Sequence, residues 1–240
     1  GRKQLYFQLF ERHLLQRSHY IHAIGNSEME GLQRLHPVRN SLLIPYSFDL
    51  PEPSEFEEQL PVFTVGFLGR LDTHTKGLDL LLRAYAAFAQ NREHTELWLV
   101  GDSEQRGPLQ RSAIEQGLEG KVKFWGSRFG QEKDTLLRRM DLFALCSRNE
   151  GLPASALEAA TQTTPLLLSQ ATNLGEYVEK AGAGWVVPNE DSKAIRMALD
   201  QAYQLWQAGQ LALHGDRARS MVATQFNWTS ILDQFDQLYR

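Results

Sequence analysis

Two glutamates in the stretch Arg148 to Ser169, RNEGLPASALEAATQTTPLLLS, are the residues of this chain best placed to handle a hydroxylated, charged ligand. Glu150 and Glu158 are eight positions apart. In a continuous α-helix, at about 100° per residue, they would stand about 80° apart, so one helix face does not hold both. A loop running into a helix fits better. Pro153 suits a first helical position, where its missing amide hydrogen would have had no partner, and Ala154 to Thr161 are helix formers and small residues. Glu150 then lies on the loop and Glu158 about one turn inside the helix, bracketing an end whose unpaired amides and partial positive charge suit a phosphate. Two carboxylates there could act as general acid and base across a glycosidic bond. They could equally accept hydrogen bonds from sugar hydroxyls and a ribose diol, since an ionised carboxylate is an acceptor only. Taken singly, each also reads as helix-surface charge.

A second group lies upstream. Phe67-Leu68-Gly69-Arg70-Leu71-Asp72, followed by Lys76-Gly77, ends an apolar run with a glycine turn and sets two cations six positions apart before a helix. A diphosphate fits such a pair, with Arg70 making a planar two-pronged contact and Lys76 acting as a mobile point charge. A bare Arg-x5-Lys is more often two surface cations; the strand-loop-helix setting is what favours phosphate. His74 reads as a solvated loop residue. Cys146 reads as a small strand-end residue, with no neighbouring histidine to activate it. Val100-Gly101-Asp102 resembles a nucleotide-binding strand end, but the sequence has no G-x-G-x-x-G.

The elements that must position these groups follow from the hydrophobic pattern. Short apolar strands alternate with helices from Phe63 onward: strands at 63–68, 96–100, 122–125, 142–146, 166–169 and 185–187, and helices at 77–91, 107–116, 134–140, the glutamate helix and 175–180. That alternation predicts an α/β fold, a Rossmann-like parallel sheet with helices on both faces. Ligands of such sheets bind beyond the carboxyl ends of the strands. The loops at Gly69-Arg70, Gly101-Asp102, Gly126-Ser127-Arg128 and Ser147 to Gly151 therefore gather at one edge. Residues 191–211 and 217–240 read as helical, with breaks near Gly215-Asp216 and Asn227. Trp98, Trp125 and Trp185 are expected to help fill the core.

Before this pattern, residues 1–16 form a basic amphipathic helix carrying Leu5, Leu9, Phe10, Leu14 and Leu15. Packing on protein is the favoured reading, with peripheral membrane contact the other. A strand at 20–24, a helix capped by Ser27 and a strand at 42–44 follow. Prolines 51, 53 and 61 around an acidic cluster mark a boundary. The expected division is 1–47, a linker at 48–60, a Rossmann-like domain at 61–225 and a closing helix at 226–240. A net charge of −4 and a pI near 6.0 argue against binding nucleic acid by bulk attraction. A single cysteine excludes an internal disulfide and a multi-cysteine zinc site. No apolar run reaches the ~18 residues of a membrane span. A cytoplasmic location, with peripheral membrane association open, is the default.

Together these residues resemble the donor-binding half of a family 4 glycosyltransferase of the GT-B fold. The family's Glu-x7-Glu motif matches Glu150 to Glu158 with Gly151, Leu152 and Pro153 between, and its glycine-arginine turn and lysine match Gly69-Arg70 and Lys76-Gly77. Val122 to Gly126 resembles the strand leading to the nucleobase pocket, Ile44 to Asp49 the crossing between domains, and Phe226-Asn227-Trp228 the start of the helix that crosses back. Cys146-Ser147, Thr163 and Tyr46-Ser47 depart from the usual Pro-Ser, Gly and Asn-Gly.

The resemblance implies a retaining transfer from a nucleotide-diphosphate sugar that needs no metal or other cofactor. Arg70 and Lys76 would hold the diphosphate beside Gly69, Glu158 the ribose, and Glu150 the transferred sugar with amides near Gly151 and Leu152. Ser127 and Arg128 would lie near the base. Arg70, Lys76 and Glu150 are the expected catalytic groups, with Glu150 no nucleophile. The acceptor, a glycan, lipid or other hydroxyl compound, is expected to bind a first domain of which residues 1–47 carry only the last elements. The alternatives are a non-catalytic nucleotide-sugar binding module, or a GT-B epimerase or hydrolase.

Overall fold

The computed structural model describes residues 2–35, 40–51 and 61–239. The chain opens with α1 (Arg2–Tyr6), a π-helical turn (Phe7–Glu11) and α2 (Arg12–Arg17). β1 (Ile21–Ala23), α3 (Asn26–Leu35) and β2 (Ser41–Leu43) follow, and the two strands pair in parallel as a sheet of their own. Ser27, expected to cap α3, is instead its second residue and bonds to Asn173, 146 positions away. Most of the expected linker, residues 52–60, lies outside the described residues.

Six strands form the main sheet: β3 (Phe63–Leu68), β4 (Thr95–Val100), β5 (Val122–Gly126), β6 (Leu142–Leu145), β7 (Leu166–Ser169) and β8 (Gly184–Val187). Their order is β5-β4-β3-β6-β7-β8, and every pairing is parallel. The sequence dictates this. All residues of β6 and β7 are buried, as strands covered on both faces must be. Helices α4 (Leu78–Ala89), α5 (Arg106–Glu115), α6 (Gly130–Arg138), α7 (Ala154–Thr161), α8 (Gly175–Ala181), α9 (Ser192–Gln207) and α10 (Ala212–Gln225) flank it. α4 packs with α9, while α7 packs with α6 and α10. On the first of these faces Phe63, Phe88 and Tyr203 stack edge to face in the core. Trp98 is buried, with Trp125 packed against it at 5.1 Å, and Trp185 stacks on His214.

From β3 the strands wind outward one way, and from β6 the other. The β3/β6 junction is therefore the switch point, the place beside which sheets of this kind bind their ligands. Two boundaries differ from expectation. α6 begins at Gly130 rather than Asp134, and α10 runs unbroken through Gly215. Gly215 is buried there for packing: a Cβ on it would meet the Thr163 carbonyl oxygen at 1.9 Å. The break falls earlier, after Gln207. α11 (Trp228–Tyr239) starts on an Asn227 side chain that accepts from the Ser230 amide at 2.8 Å, and its Phe235 meets His22 of β1 edge-on. Among the described residues no helix is long and apolar enough to cross a membrane.

Candidate functional site

The loop after β3 is drawn together by Asp72. Its carboxylate accepts from the Thr75 amide at 2.9 Å and from Arg70 at 3.2 Å. The Thr75 amide first, then the Thr75 hydroxyl and the nearby Arg70 guanidinium, outweigh burial and hold that carboxyl below its usual range. Arg70 is otherwise open to solvent, with 70% of its side chain exposed. The loop ends at Gly77, in left-handed backbone at φ 66°, where a Cβ would lie 1.9 Å from the Cys146 carbonyl oxygen. The loops after β3 and β6 thus touch backbone to backbone, which only glycine permits here. That contact brings the Lys76 ammonium onto the Glu150 carboxylate as an ion pair, both mostly buried, and the Ser147 hydroxyl donates to the same oxygen at 3.2 Å.

Arg148 fixes the junction. Its amide donates to the Thr75 carbonyl, and its guanidinium grips Asp79 with two bonds of 2.8 Å, Glu190 at 2.7 Å and the His74 carbonyl at 2.7 Å. Burial would raise the Asp79 carboxyl, but the Arg148 contacts outweigh it and hold the group low. Cys146 behind the loop is fully buried, and burial pushes its thiol up to about 12, as befits an inert packing residue.

The glutamate loop is held from the other side by Asn173. The Asn173 amide donates to the Gly151 carbonyl at 3.2 Å, its side chain reaches the Glu150 carbonyl at 3.4 Å and bonds Ser27 of α3 at 2.8 and 2.9 Å. Leu152 is buried and anchors the turn. Pro153 caps α7 in extended backbone, one position before the helix rather than within it. The amides of Gly151, Leu152, Ala154 and Ser155 donate to no acceptor among the described residues. Such a cluster at a helix start suits an anion.

Glu158 lies on the second turn of α7, a third exposed, and its Oε1 accepts from Lys133 of α6 at 2.8 Å. Ser127 is exposed in the loop after β5, where Arg128 bonds the Ser127 carbonyl at 3.2 Å and faces Glu132 at 3.6 Å. All these residues follow the carboxyl ends of the strands. Lys76 and Glu150 are brought into contact, while Arg70 and Glu158 are engaged by Asp72 and Lys133. Lys133, Arg148 and Asn173 are not legible in the sequence, because each acts across 23 to 146 positions of chain. Placing the start of α6 at Gly130, just after an exposed aromatic, would have drawn attention to Lys133. Among the described residues no group of three or more His, Cys, Asp or Glu is placed to hold a metal ion.

A doubly wound, all-parallel sheet with its polar residues at the switch point defines a Rossmann-like domain of the kind found in GT-B glycosyltransferases. The chain belongs to the family of glycosyl transferases group 1, which it matches over residues 52–213. It is 28% identical over 176 residues to the uncharacterized glycosyltransferase MJ1607 of Methanocaldococcus jannaschii, covering 72% of this chain and 44% of that protein. It is also 28% identical over 185 residues to the D-inositol 3-phosphate glycosyltransferase of Saccharomonospora viridis, covering 73% and 42%. The matches thus span less than half the length of these relatives. In fold it is similar to Anabaena Alr3699/HepE, solved in complex with UDP, with a TM-score of 0.78 at 21% identity over 94% of this chain and 64% of that one.

Proposed function

We propose that this chain is the donor-binding half of a retaining glycosyltransferase that moves a sugar from a nucleoside-diphosphate sugar to a hydroxyl acceptor. The observation that carries this reading is the Lys76–Glu150 pair across the switch point, beside a helix start with unused amides. On this reading Arg70 and Lys76 take the diphosphate together with the amides at the start of α7. Glu150, with the Gly151 and Leu152 amides, takes the hydroxyls of the transferred sugar. Glu158 takes the ribose, and the Gly126-Ser127-Arg128 turn lies against the base.

The chemistry follows from charge. Departure of the nucleoside diphosphate leaves negative charge on its oxygens, and fixed cations and amides lower the energy of the state in which that charge develops. A carboxylate nucleophile is not required, so Glu150 orients rather than attacks. The transfer is read as needing no metal. The acceptor would bind the part of the relatives that this chain does not match, with residues 1–47 as its nearest elements and α11 crossing back to them.

The experiment is titration calorimetry of the complete protein with UDP, GDP, ADP and their sugars; the UDP held by Alr3699/HepE supports beginning with uridine. Arg70→Ala and Glu158→Ala should each weaken the best ligand by about tenfold or more, the worth of one charge-assisted contact. Unchanged affinity in both variants would overturn the site assignment.

A further inference from the structure

We infer that Lys133 is a positioning residue that sets the ribose-reading carboxylate; the inference rests on the assignment of Glu158 to the ribose. Lys133 stands at the fourth position of α6, directly after the loop carrying Ser127 and Arg128. Its ammonium lies 2.8 Å from Glu158 Oε1 and 3.8 Å from Asp134, with 22% of its side chain exposed against 33% for Glu158. Glu158 Oε2 has no hydrogen-bond partner among the described residues.

A glutamate near a helix start has three side-chain torsions and would sample many orientations. Anchoring one oxygen on an ammonium fixes the carboxylate plane, while the second oxygen and the remaining lone pairs stay available. That geometry suits a vicinal diol, whose two hydroxyls converge on one acceptor group. The anchor also joins α6, which follows the base-side loop, to α7, which carries the ribose-side carboxylate. A base that shifts α6 would shift the ribose contact with it. Lys133 is thus cast as a residue acting through Glu158.

The readout is preference for ribose, which a general loss of positive charge would not change. The protein is titrated calorimetrically with UDP, GDP and ADP and with the 2′-deoxy and 3′-deoxy forms of whichever binds best. The unaltered protein should prefer the ribose form by about tenfold, the scale of one charge-assisted hydrogen bond. Lys133→Met should weaken the ribose form severalfold, leave the deoxy forms nearly unchanged and so collapse the preference; Lys133→Arg should restore most of it. Glu158→Gln is run in parallel. If Glu158→Gln abolishes the preference and Lys133→Met keeps it, the role of Lys133 is overturned while the site reading survives. Equal weakening of ribose and deoxy forms by Lys133→Met also overturns it, because that is lost phosphate attraction. If Glu158→Gln keeps the preference, the ribose assignment fails and this inference fails with it.

Discussion

The guanidinium of Arg148 binds its loop to the first turn of α4 through Asp79, to the loop before that helix through the His74 carbonyl, and to the loop after β8 through Glu190. Removing it leaves Asp79 two-thirds buried without its counter-charge. Fully buried pairs lose about 3–5 kcal/mol when one partner is deleted; with Asp79 a third exposed, Arg148→Met should destabilise by about 2 kcal/mol, read from urea unfolding. Arg148→Lys should recover only part of this, because an ammonium cannot supply the two parallel bonds to Asp79. Nothing around Arg148 in the sequence announces such a role. The placement of Glu150 on a loop and of Glu158 inside α7 was legible because helix-start signals are local, whereas the partners of Arg148 lie 69 and 42 positions away.

Among elements, the contact between the loops after β3 and β6 decides whether Lys76 meets Glu150. Gly77→Ala would force a methyl into the Cys146 carbonyl at a backbone angle that disfavours any side chain. The turn must then move, and Lys76 with it. Unfolding should show a loss of about 2–3 kcal/mol, and on the donor reading calorimetry should show weakened nucleotide binding in the fraction that stays folded. The strands were readable to within a residue or two, since doubly covered parallel strands are continuous apolar runs with turn residues at their ends. The starts of helices were less so. Gly130-Gln131-Glu132-Lys133 looks like loop, and α6 forms there because its Leu136 and Leu137 are buried in the core and hold the turn before them. Gly215 misled in the opposite direction: glycine punctuates chains locally, and its use for close packing of α10 shows only in three dimensions.

At the scale of the whole molecule, stability should carry a pH signature from the far end of the sheet. Asp141, at the start of β6, accepts from the Thr64 amide at 2.7 Å, yet burial outweighs this and pushes its carboxyl up to about 7. An unfolded Asp titrates near about 3.9, so between about 4 and 7 the folded protein holds a proton that the unfolded chain has lost. The associated stability is fully present below about 4 and is lost as pH rises to about 7, amounting to about 2 kcal/mol once partial water access is allowed for. Asp141→Asn should therefore narrow the gap between urea unfolding free energies at pH 5 and pH 8; an unchanged gap would contradict it. At the opposite edge, Lys76 and Glu150 are paired with each other. On the donor reading, inorganic phosphate meets a lysine already engaged, and a free sugar meets a carboxylate already engaged. Only a ligand carrying both a diphosphate and hydroxyls can replace the two halves of the pair in one event. On that reading the pair works as a coincidence gate, discriminating against abundant cellular anions before any contact with base or ribose is made.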